Sequence, residues 1–122
     1  MHKEESIDDF EFDVLTEIGN MAFIGCTALT SISIPDNVVT IGESAFCNCT
    51  GLTNAELPDN LSSINERIFM KCTGLTNISI PIHVMSIGKR AFFECENIES
   101  IELPDSVVSI GEDAFFGCES LI

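Results

Sequence analysis

The chain has 122 residues, which suits one domain, and it carries twenty acidic against five basic residues for a net charge of −15. That balance argues against nucleic-acid binding, which needs Lys and Arg to displace counterions, and against an anionic membrane surface. No stretch is long or apolar enough to insert in a membrane.

Met1 to Glu5 lead into acids and not into an apolar core, so no signal peptide is expected. The acid-rich stretch from Glu4 to Glu17 reads as a solvated cap. Within it Ile7, Phe10 and Phe12 have the spacing of a strand over 7–12. Further along, one pattern returns every 23 residues. Phe23, Phe46, Phe69, Phe92 and Phe115 form one column, and Cys26, Cys49, Cys72, Cys95 and Cys118 form another. A fixed period of this length means a stack of like units, not a globule around one centre.

Each unit opens with a strand. In Leu29 to Ile34, Ile32 and Ile34 share one face and Ser31 and Ser33 the other. The same alternation predicts strands over 52–57, 75–80 and 98–103. Pro35, Pro58, Pro81 and Pro104 follow, and each withholds a backbone donor and ends its ladder. A second short extended piece spans Val38 to Ile41. Gly19, Gly42, Gly88 and Gly111 come next, with Asn65 as the exception, and predict a turn with positive φ. Apolar residues three and four apart over Glu43 to Cys49 predict one helical or 3₁₀ turn. The copy from 52 to 74 is the loosest: Ala55 replaces Ile, Asn65 replaces Gly and Ile68 replaces Ala.

This gives a repeat solenoid, a single domain over 1–122 with a degenerate first repeat at 7–28 and further repeats at 29–51, 52–74, 75–97 and 98–120. About eight apolar side chains per unit cannot offset the entropy of ordering it. Stability must therefore come from stacking on neighbours. The chain stops at Leu121 and Ile122 without a polar cap, so either it is cut from a longer array or that end self-associates with another copy.

The stretches P-x-x-V-x-x-I-G-x-x-A-F-x-x-C at 35–49, 81–95 and 104–118 resemble the BspA-like, or Treponema-type, leucine-rich repeats. The resemblance implies a right-handed curved superhelix with a parallel β-sheet on its concave side and short strands with helical or 3₁₀ turns on the convex side. It also implies a surface or secreted protein that adheres to host matrix proteins or other cells, with no catalytic residues and no cofactor.

Six cysteines suggest disulfides at first. Five, however, share one column whose side chains point in parallel, a poor geometry for bridging, so reduced buried thiols are expected. Cys47 lies outside that column, with Ile24, Met70, Phe93 and Phe116 as counterparts, and is expected to pack as they do. Cys47 and Cys49 form C-x-C, but no second Cys or His cluster completes a metal site. His83 reads as a loop residue, and no nucleophile–base arrangement can be assembled. Arg67, Lys71, Lys89 and Arg90 form the one basic cluster, with salt bridges to Glu43, Glu66 or Glu112 expected. Three N-x-S/T sequons, at Asn48, Asn60 and Asn77, are weak signals of secretion. The best candidate surface is the outward face of the sheet: Ser31, Ser33, Asn54, Glu56, Asn77, Ser79, Ser100 and Glu102, flanked by Thr30, Thr53, Thr76 and Glu99. Solenoids use such faces to bind proteins. A protein ligand, basic by charge or a host-matrix protein by resemblance, is therefore expected. The plainer reading is a polar face in water.

Overall fold

The computed structural model describes residues 16–121. Among these, nine short strands run β1 (Glu17–Ile18), β2 (Ser31–Ser33), β3 (Thr40–Ile41), β4 (Asn54–Glu56), β5 (Ser63–Ile64), β6 (Asn77–Ser79), β7 (Ser86–Ile87), β8 (Ser100–Glu102) and β9 (Ser109–Ile110). Every pairing is parallel and every partner lies one repeat away, as in Ser31↔Asn54 and Asn77↔Ser100. The chain is a parallel-strand solenoid, and β2-β4-β6-β8 form its concave sheet. The expected strand over 7–12 lies outside the described residues.

The concave strands are shorter than predicted because both ends of each segment turn inward. The Leu29 amide closes a turn on the Cys26 carbonyl, and Pro35 ends the other side. The Ile34 amide still reaches Glu56 O at 2.9 Å, one residue past β2. The extended piece expected over Val38 to Ile41 shrinks to β3, with equivalents in β5, β7 and β9.

The convex segments are not helical, which corrects the predicted helical or 3₁₀ turn. Their amides alternate between two kinds of partner. Ala45, Cys47 and Cys49 donate locally, to Gly42, Ser44 and Phe46 carbonyls. Ser44, Phe46 and Asn48 donate instead to Glu66, Ile68 and Met70 of the next coil. A 3₁₀ helix needs consecutive local bonds, and here every second one goes to the neighbour. The alternation requires left-handed backbone at two columns. These are Met21, Ser44, Arg67, Arg90 and Asp113, and then Gly25, Asn48, Lys71, Glu94 and Gly117.

Positive φ therefore falls outside the column of Gly42 and Gly88, against expectation. Close approach explains those glycines. A Cβ on Gly42 would meet Asn20 N at 2.5 Å, and one on Gly88 would meet Glu66 N at 2.7 Å. Asn65 is tolerated because its side chain substitutes for the missing contact. Asn65 Nδ2 donates to Ile41 O at 2.6 Å, the carbonyl position that the Gly42, Gly88 and Gly111 amides take elsewhere. The substitution coincides with a break: β1-β3 and β5-β7-β9 are separate ladders, and β3 does not pair with β5.

The core is a column. Phe23, Phe46, Phe69, Phe92 and Phe115 stack in single file at centroid spacings of 5.4, 5.6, 5.7 and 5.5 Å, with rings within 15° of parallel. The thiols beside them form their own ladder. Cys49, Cys72, Cys95 and Cys118 donate Sγ–H to the carbonyls of Phe23, Phe46, Phe69 and Phe92 at 3.0–3.2 Å. All the described cysteines are free.

Candidate functional site

Strand alternation decides what the concave face presents. Ile32, Ala55 and Ile78 point inward and are buried, whereas Ser31, Ser33, Asn54, Glu56, Asn77, Ser79, Ser100 and Glu102 all stand exposed. The register sets them in two rows, Ser31-Asn54-Asn77-Ser100 and Ser33-Glu56-Ser79-Glu102. Ser33 Oγ donates to Glu56 Oε1 at 2.9 Å. Thr53 Oγ1 donates to Thr30 O at 3.1 Å along the rim. In the loop after the strands, the Asp59 amide donates to Asp36 Oδ1 at 3.0 Å.

The sheet is uneven. β2–β4 and β6–β8 each register at three residue pairs, but β4–β6 registers only at Asn54↔Asn77. A groove of about 330 Å³ opens at that joint, between Asn54, Glu56 and Asp59 on one side and Asn77, Ser79 and Pro81 on the other. Asn54, Glu56, Asn77 and Ser79 are expected on the outward face from the sequence, whereas the groove is not. The available signal was Ala55, the smallest inward side chain of its column.

The turn side differs in chemistry. Arg67 pairs with Glu66 at 2.6 Å, as expected. Arg90 lies 3.9 Å from Asp113, not Glu112, and its guanidinium sits over the Phe93 ring at 5.6 Å. Cys47 is buried, as predicted, whereas its counterparts Ile24 and Phe116 are exposed. Burial pushes the Cys49 thiol up to about 11 and the Cys95 thiol to about 12. Cys72 is raised further for the same reason. Buried thiols with raised values are poor nucleophiles and poor metal ligands. Among the described residues, no group of three His, Cys, Asp or Glu side chains could hold a metal ion. His83 is exposed in its loop. No helix of the described residues is long and apolar enough to cross a membrane.

The profile of the BspA type leucine rich repeat region matches residues 2–122 in six copies. The chain belongs to that family. Solved structures agree. A leucine rich cell surface protein from Faecalibacterium prausnitzii is 38% identical with a TM-score of 0.87, over 88% of this chain and 28% of that one. The T. pallidum leucine rich repeat protein is 39% identical with a TM-score of 0.85, over 88% of this chain and 50% of that one. A leucine-rich repeat protein from Bacteroides ovatus is 41% identical with a TM-score of 0.85, over 88% and 28%. The chain thus spans half or less of the length of these relatives. No functionally curated protein matches it.

Proposed function

We propose that this chain is a non-enzymatic protein-binding module that takes its ligand on the concave sheet and works at a cell surface in adhesion. One observation carries the reading: four consecutive rungs hold polar side chains exposed and in register. The family supports it, because solenoids offer extended concave surfaces to other proteins. The F. prausnitzii relative is described as a cell surface protein. Charge favours a basic ligand or a basic patch on a matrix protein. The test is surface plasmon resonance of the chain against a panel of purified matrix proteins. Saturable, salt-sensitive binding that disappears in the Glu56→Lys/Glu102→Lys double variant is expected. An undiminished affinity in that variant would remove the concave face from the reading.

A second reading has its own observation. The last described coil exposes Leu103, Val108, Ile110 and Phe116, with Val108 82% exposed. An apolar face of this kind supports end-to-end self-association of copies. Sedimentation equilibrium should then show concentration-dependent oligomers that Val108→Glu dissolves. A monomer at every concentration would exclude it.

A further inference from the structure

We infer that the groove between β4 and β6 is a pocket for one lysine or arginine side chain of the protein ligand, an inference that rests on the concave-face reading above. Its position is set by the sequence. Coil 52–74 places Ala55 inward where the other coils have Ile32, Ile78 and Ile101. The strand with the smallest inward side chain keeps three residue pairs with β2 but only one with β6. The groove lies along that thinned joint.

The lining matches a long alkyl stem with a cationic head. Leu57 and Pro81 supply apolar wall, and Glu56, Asp59, Asn54 and Asn77 supply acceptors. Lys and Arg bury their methylenes along apolar surface while the head keeps polar partners. Glu56 is already oriented, because Ser33 Oγ holds Oε1 at 2.9 Å. An oriented carboxylate makes a charge-assisted bond at a lower ordering cost.

The wider field points the same way. Glu56 and Glu102 lie on the concave strands, Glu99 just before β8, and Asp36, Asp59 and Asp105 in the loops after the strands. The basic residues of the described part, Arg67, Lys71, Lys89 and Arg90, all lie in the turn segments. No cation of this chain's described residues therefore neutralises the face, and the ion pairs Arg67–Glu66 and Arg90–Asp113 are on the other side. Acidic charge spread along the face steers a basic partner, and the groove gives one of its side chains a seat.

The test is an NMR titration of the ¹⁵N-labelled chain with a short Ser/Thr peptide carrying one central lysine, with arginine and norleucine counterparts. Saturable shifts are expected at the Asn54, Glu56, Asn77 and Ser79 amides with both cationic peptides and none with norleucine. Glu56→Gln should weaken binding about tenfold, as loss of a charge-assisted bond does. Asp105→Asn, which removes a carboxylate outside both the groove and the sheet rows, should change it less than about twofold. Ala55→Ile, which keeps both carboxylates but restores the larger inward residue, should also weaken it. Equal weakening by Glu56→Gln and Asp105→Asn would show diffuse attraction and overturn the pocket, as would norleucine binding as well as lysine. If the pocket fails while Glu56→Lys/Glu102→Lys still abolishes binding of a matrix protein, the concave-face reading survives without it.

Discussion

Coils 52–74 and 75–97 are neighbours built to one plan, yet only the second keeps to it. Coil 75–97 has Ile78, Gly88 and Ala91 at the columns where coil 52–74 has Ala55, Asn65 and Ile68. Both strand ladders are disturbed around the irregular coil. β3 fails to pair with β5 on one side of it, and β4 and β6 share one residue pair on the other. The phenylalanine file does not register the disturbance: Phe69 lies 5.6 Å from Phe46 and 5.7 Å from Phe92. The turn column, with its rings, thiols and alternating amide bonds, therefore carries the stack. The strands can thin without unstacking it, and this leaves the concave face free to vary.

The sharpest way to break this contrast is at the column. Phe69→Ala removes a fully buried ring with neighbours on both sides and should cost about 3–5 kcal/mol in urea unfolding. Phe115 is half-buried and stacked on one side among the described residues, so Phe115→Ala should cost clearly less. Equal losses would mean that stacking on both sides adds nothing.

Alkali attacks the same column by another route. Burial raises the Cys49, Cys72 and Cys95 thiols, so the fold holds these protons more tightly than the open chain does. Their contribution is complete below the ordinary thiol range and is lost as pH rises through the folded values. Stability should fall by about 2 kcal/mol or more between about pH 9 and 11. The chain has no tyrosine to confuse the titration. Cys95→Ala should flatten the slope, and a pH-independent urea midpoint across that range would refute the buried-thiol ladder.

A smaller effect is expected where coils touch through backbone. Gly88→Ala forces a Cβ to 2.7 Å from Glu66 N and should cost about 1–3 kcal/mol. A neutral result by thermal melting would mean that the spacing of these two coils is looser than the packing requires.

The stack itself was legible in the sequence, because identical residues at a fixed period can only be neighbours in a stack. The outward rows were legible too, since period-two alternation fixes which side chains leave the core. The turn geometry was not. Left-handed backbone falls on Ser44, Arg67 and Arg90, residue types that give no such signal, and bonding to the next coil enforces it. Glycine misled for a related reason: Gly42 and Gly88 answer to a neighbouring coil that is invisible from local sequence. The groove was half legible. The departures at Ala55 and Asn65 stood out, but their effect on pairing depends on how adjacent coils settle.

Residue-resolved amide hydrogen exchange tests most directly whether the turn column holds the coils together across the irregular repeat. The Phe46, Phe69 and Phe92 amides, bonded to Ile68, Ala91 and Ala114 of the next coil, should exchange only through global unfolding. The β4 amides beside the thinned joint should exchange faster by local opening. A Phe69 amide exchanging as fast as those of β4 would contradict the account.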